Sequence, residues 1–290
     1  MSVLVNMTKE IIKNTLMGIP AIRQLRVAQG RTTESVTNIT KESAERYIFI
    51  PLLRVKEIVP NLKGISIIEM GPGDYLTSGV AFLAYGVSHY ATLDRFMGDV
   101  NTAEARQWYK AAAQHWEAFF PETPFPDWLD IEQFPEAYMD KIDIYRTGIE
   151  MLNVQETGQF DVVCSFYVGE HVQDIISYAQ KTADLLKEDG IAIHLVDFGP
   201  HGCWRQYDDP WTFLQFPTWT WNLMGSNRGI PNRFRFHEFS EAFAKAGLTT
   251  KDVQAIKIPP PQNTVAPRFR NMPKESLSVI QALFVLEHQR

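Results

Sequence analysis

The chain is 290 residues long, 45% hydrophobic, with a formal charge of −6 and an isoelectric point near 5.7. That length buries one sizeable core and a small appended layer, and the acidic balance opposes binding to a phosphate backbone, which needs Lys and Arg to displace counterions. Two cysteines, Cys164 and Cys203, are too few for a disulfide-stapled secreted fold, and no apolar run reaches the roughly 20 residues of a membrane span, so a cytoplasmic protein is expected that engages neither membrane nor nucleic acid.

In chain order, residues 1–60 read as a helical cap. Ile11, Ile12, Leu16, Ile19 and Ile22 recur at helical spacing, and Thr40-Lys41-Glu42-Ser43 leads into Tyr47, Ile48, Leu52 and Val55. Lys9, Glu10 and Lys13 interrupt the apolar positions that a signal peptide would need. Residues 61–290 then alternate β and α textures, the pattern of a parallel sheet covered by helices on both faces. Strands are expected at 65–70, 89–94, 142–145, 160–166 and 191–198.

Two stretches interrupt that alternation. Residues 99–140 carry Trp108, Trp116, Phe119, Phe120, Phe125 and Trp128 and are expected to form an insertion near the active face; residues 199–235 carry Trp204, Tyr207, Trp211, Phe213, Phe216, Trp219 and Trp221 without a clean period and read as a lid. A helix over His237–Ala246 and strands at 249–257 and 279–287, joined through Pro259-Pro260-Pro261, complete a seven-stranded sheet.

The strongest local signal is Ile67-Ile68-Glu69-Met70-Gly71-Pro72-Gly73-Asp74, an apolar strand ending in an acid and opening into a glycine turn. Gly71 and Gly73 let backbone approach a ligand at the carboxyl end of a strand, and Glu69 with the loop amides can hold a zwitterionic amino-acid tail. Asp94 closes the second strand about 20 residues later, a helix N-cap or solvated strand end when read alone.

Together with Thr147-Gly148-Ile149-Glu150 and Phe160-Asp161-Val162-Val163-Cys164-Ser165-Phe166-Tyr167-Val168-Gly169-Glu170-His171-Val172, these segments resemble the core motifs of class I, Rossmann-like S-adenosylmethionine-dependent methyltransferases of the small-molecule type. The resemblance covers about residues 65–198. It departs from the fuller glycine motif at Tyr75, and from the dinucleotide fingerprint at Leu76. It implies S-adenosyl-L-methionine as cofactor, with Glu69, Gly71, Gly73, Asp94, Ile149, Glu150, Ser165 and Tyr167 around it, Ile149 packing on the adenine and Ser165 and Tyr167 near the methionine end.

The fifth strand, Ile191-Ala192-Ile193-His194-Leu195-Val196-Asp197-Phe198-Gly199-Pro200-His201, resembles a subgroup with an H-x-x-D-x-x-x-H signature followed by an aromatic lid and an N-R-x-R segment, here Asn232-Arg233-Phe234-Arg235. On that basis His201 is the first candidate for moving the acceptor's proton, Asp197 orients it or binds an acceptor hydroxyl, and Tyr167 positions the acceptor. His171 is the second-ranked base, because with Glu170 it can equally cap a helix. No metal is assigned; a set of His194, Asp197 and His201 is the alternative.

The aromatic lid suits a flat or cationic acceptor, so a small aromatic or heteroaromatic substrate of the natural-product kind is expected, methylated at oxygen, nitrogen or carbon. The same rings could instead pack the lid itself or a homodimer interface. A nicotinamide oxidoreductase and a noncatalytic S-adenosylmethionine-binding protein are the competing functions.

Overall fold

In the computed structural model, which describes residues 2–22, 25, 39–152, 158–228 and 230–290, the apolar runs of the sequence become the strands of one seven-stranded sheet. Runs of β-branched and aliphatic residues buried on both faces are what a central parallel strand requires. β1 (Ser66–Met70) lies between β2 (His89–Leu93) and β4 (Phe160–Phe166), with β3 (Ile142–Tyr145) outside β2 and β5 (Leu186–Asp197) outside β4. β6 (Leu248–Lys257) and β7 (Val279–His288) finish the order 3-2-1-4-5-7-6, and β7 runs antiparallel to both neighbours. The order reverses between β1 and β4, so the loops after these strands open a crevice at their carboxyl ends.

One face of the sheet is covered by α3 (Thr77–Ala84), α4 (Ala103–Phe119) and a helical run from Lys41–Ala44 through a π-helical turn, Glu45–Phe49, into α2 (Ile50–Ile58). α5 (Ile175–Leu185) and α7 (Phe236–Lys245) cover the other. The aromatic residues of the stretch 99–140 are used mostly for packing. Trp108, Ala112 and Trp116 fall four residues apart on the buried side of α4, and Phe119 stacks on Phe49 at 4.3 Å, so most of these rings fasten the crossover helix to the N-terminal run. Burying such rings is worth more in a core than at a wet cleft.

The N-terminal segment divides. Whereas residues 41–58 pack on the sheet's covering layer, α1 (Val3–Met17) sits against the lid helix α6 (Thr218–Gly225). Its buried face is polar: Asn6 donates to Tyr207 Oη at 2.6 Å, Asn14 to the Leu223 carbonyl at 3.0 Å, and Glu10 pairs with Arg228. Positions 23–24 and 26–38 of the expected cap, and 229 of the expected lid, lie outside the described residues. Among the described residues no helix is long and apolar enough to cross a membrane.

Candidate active site

The crevice has two walls, built differently. On the β1–β2–β3 side backbone dominates. Gly71 and Gly73 adopt φ of 70° and 96°, a region that side chains rarely tolerate, and a Cβ at Gly73 would meet nothing within 4 Å. A Cβ at Gly71 would stand 2.4 Å from Val168 Cγ2, so this glycine lets the β1 and β4 loops touch. Asp94 faces the same loop. Its carboxylate accepts from the Phe96 amide at 2.6 Å and meets the Gly73 amide, while burial outweighs those bonds and raises its pKa. An open glycine loop with a half-buried carboxylate beside it fits a ribose and its amino-acid extension.

Other residues of the expected cofactor set are committed elsewhere. Glu69 is 2% exposed, and its Oε2 accepts from Ser78 Oγ at 2.5 Å and Tyr90 Oη at 2.7 Å; burial raises its pKa to about 7 against those two bonds. The carboxylate thus joins β1, β2 and α3 beneath the loop. Ser165 is fully buried, with Oγ 2.7 Å from Tyr178 Oη and 2.8 Å from His194 Nδ1, because β4–β5 register sets Ser165 opposite His194. Only its backbone is left to serve a ligand. Ile149 is buried in the core cluster on the α5–α7 face of the sheet, and Glu150 pairs with Arg95 at 3.3 Å, bridging the loops after β2 and β3.

The alternative metal set of His194, Asp197 and His201 is not assembled. His194 is 0% exposed, bonded to Tyr178 and Ser165 and stacked on Phe243; burial lowers its pKa to about 3 and keeps it neutral.

The β4–β5 wall is made of side chains. Tyr167 follows β4 with φ 61°, strained for a non-glycine residue, and its exposed ring is held by Gln281, whose Nε2 donates to Tyr167 Oη at 3.0 Å. Gln281 pairs in register with Asp197, the last residue of β5. Asp197 Oδ1 accepts from the Gly199 amide at 2.7 Å, leaving Oδ2 3.6 Å from His201 Nε2. Oε1 of Glu170, a residue only 3% exposed, stands 3.8 Å from the same nitrogen.

His201 Nδ1 lies 3.1 Å from the Gly199 carbonyl. A carbonyl only accepts, so Nδ1 carries the hydrogen, and in the neutral ring the Nε2 lone pair points among carboxylates. Burial alone would lower the His201 pKa; the Glu170 carboxylate, Asp197 and the Gly199 carbonyl outweigh it and hold the pKa above the ordinary 6.5. The exposed His171 ring meets His201 edge-on at 5.7 Å.

The lid locks onto this wall through Asn232-Arg233-Phe234-Arg235. Asn232 Nδ2 donates to the Gly169 and Val172 carbonyls at 2.8 and 2.6 Å, and its amide donates to the Glu170 carbonyl, fixing the turn that carries Glu170 and His171. Arg233 donates to the Phe213 and Phe216 carbonyls and lies over Trp221; Arg235, fully buried, donates to the Phe198 and Val279 carbonyls. Burial pushes both guanidinium pKa values down to about 9.

Trp204, Trp211, Phe213, Phe216 and Trp221 are all buried together in one cluster, against which the partly buried Val3, Met7 and Ile11 of α1 pack. These rings build the lid's own core. Gln281 and Asn232's clamp on the Glu170 turn were missed from sequence, since their partners stand 114 and about 60 residues away. The Glu-His pair and the N-R-x-R pattern were visible, but not their contact.

A doubly wound sheet of order 3-2-1-4-5-7-6, with a glycine loop after β1 and an acid after β2, defines a Rossmann-like methyltransferase fold. The methyltransferase-domain family model matches residues 42–253, so the chain belongs to that family and is an S-adenosylmethionine-dependent methyltransferase. No curated protein matches the sequence. Among solved structures it is similar to an S-adenosylmethionine dependent methyltransferase from Mesorhizobium loti, at 16% identity and a TM-score of 0.47 over 84% of this chain and 97% of that one. It is also similar to the Burkholderia thailandensis 1,6-didemethyltoxoflavin-N1-methyltransferase, solved with 1,6-didemethyltoxoflavin and S-adenosylhomocysteine, at 12% identity and a TM-score of 0.47 over 93% and 87%.

Proposed function

We propose that this methyltransferase acts in the cytoplasm on a small aromatic or heteroaromatic acceptor of the natural-product kind, and that Gly71, Gly73 and Asp94 serve the cofactor while Tyr167, Asp197, His201 and His171 serve the acceptor. The observation that supports the reading is His201 Nε2 within 4 Å of both the Asp197 and the Glu170 carboxylates, at the carboxyl ends of β4 and β5. The bound cofactor supplies an activated methyl on a sulfonium. The chain's part is to align an acceptor lone pair or carbanion behind that methyl and to help remove a proton where one must leave.

Tyr167 and His171 present exposed aromatic faces at the mouth of this wall, and a flat acceptor can lie against them. Asp94 and the loop amides hold the ribose end, keeping the two functions on separate residues. Methyl transfer from labelled S-adenosylmethionine to a panel of phenols, aromatic amines and nitrogen heterocycles tests the reading. Label is expected in a member of that panel and absent from added transfer RNA and protein; label in the macromolecules alone would overturn the acceptor class.

A further inference from the structure

We infer that Glu170, His171 and His201 hold a divalent transition-metal ion at the acceptor wall, with Asp197 as a further carboxylate beside it. One donor atom from each of the first three residues lies within 4.8 Å of the others, and Asp197 Oδ2 stands 3.6 Å from His201 Nε2. Donors of a tetrahedral ion with bonds of about 2.0–2.2 Å are about 3.3–3.6 Å apart, so the cluster needs to contract by up to roughly 1.4 Å, a shift open to the exposed His171 ring.

Charge balance points to a metal over a lone proton. With Nδ1–H committed to the Gly199 carbonyl, a lone pair and two carboxylates converge on the same space. A proton on Nε2 offsets one negative charge, whereas a divalent cation offsets both. Among the described residues Glu170 Oε2 is also buried without a hydrogen-bond partner, an expensive state for a carboxylate oxygen. Asn232 holds the backbone of the turn that presents Glu170 and His171, so the donor set is braced from the lid side.

Two imidazoles with carboxylate favour Zn²⁺ over Mn²⁺ and Mg²⁺, which prefer oxygen ligands. Three protein donors leave a position open for an acceptor oxygen or nitrogen. The ion's role rests on the reading of this wall as the acceptor side; its binding does not.

The test is calorimetric titration of chelator-stripped protein with Zn²⁺, Mn²⁺ and Mg²⁺, with S-adenosylhomocysteine titrated separately to report folding. Wild type is expected to take one Zn²⁺ per chain, at least about 100-fold tighter than Mg²⁺. Glu170→Gln and His201→Ala should each weaken Zn²⁺ by 10-fold or more with unchanged S-adenosylhomocysteine affinity. If Glu170→Gln loses S-adenosylhomocysteine binding, His171→Ala, an exposed ring, replaces it with the same expectation. Wild type that binds S-adenosylhomocysteine but no Zn²⁺, or Zn²⁺ affinity unchanged in the folded variants, overturns the metal site and leaves the methyltransferase reading intact. Zn²⁺ binding without S-adenosylhomocysteine binding does the reverse.

Discussion

The two walls of the crevice solve different problems. The cofactor wall is local and built largely from backbone: two glycines with positive φ, one of them opening on empty space, stand beside one carboxylate. The acceptor wall is assembled across the chain, with Tyr167 tied to Gln281, Glu170 facing His201, and Asn232 clamping the turn beneath them. A ligand common to a whole family can be met by a short motif. A particular acceptor requires side chains brought together from four or five segments, and those carry the buried charge.

The largest effect that would sharpen this division is on turnover. His201→Ala should reduce methyl transfer by about 10²- to 10⁴-fold against whichever panel acceptor the wild type uses, the usual weight of a group that handles an acceptor's proton or heteroatom. An undiminished rate would mean that alignment alone suffices, and the acceptor wall would lose its chemical role.

Next comes the brace. Asn232→Ala removes the donors to the Gly169 and Val172 carbonyls and the acceptor for the Phe234 amide, and should cost about 1–3 kcal/mol in urea unfolding together with a fall in turnover larger than any fall in cofactor affinity. Equal losses of turnover and S-adenosylhomocysteine binding would show that the lid supports both walls.

The smallest effect concerns pH and the two buried titratable groups behind the walls. His194, held neutral with a pKa of about 3, contributes stability that is complete above the ordinary 6.5 and is lost as pH falls from 6.5 towards 3. Glu69, with its pKa raised to about 7, contributes stability that is complete below 4.5 and is lost as pH rises from 4.5 to 7. Each slope approaches about 1.4 kcal/mol per pH unit, and the signs oppose between 4.5 and 6.5. Glu69→Gln should therefore make stability rise more steeply with pH in that window, and His194→Phe should make it fall. Parallel stability curves for wild type and both variants would contradict these assignments.

Much of the scaffold was legible in the sequence. β4 and β7 follow from continuous apolar runs, and Glu69 to Asp74 from the abrupt change to glycine after such a run. Periodicity cannot say which neighbour a polar side chain selects. Glu69 turned inward because Ser78 and Tyr90 satisfy it, and Ser165 because His194 lies opposite in register, while Glu150 stays near the surface, paired with Arg95. Of the two readings open for the lid's aromatic residues, substrate cover or self-packing, Trp204, Trp211, Phe213, Phe216 and Trp221 take the second and bury one another, while Trp219 stays exposed. Trp108 and Trp116 carried the same lesson in α4, where spacing of eight residues already marked one helix face.

The most direct measurement of the central claim, that the two walls serve cofactor and acceptor separately, is calorimetric titration of S-adenosylhomocysteine into wild type, Asp94→Ala and His201→Ala. One site per chain is expected in wild type, an affinity about 10- to 100-fold weaker in Asp94→Ala through loss of a charged hydrogen-bond acceptor, and wild-type affinity in His201→Ala. Wild-type affinity in Asp94→Ala, or the same loss in both variants, would contradict it.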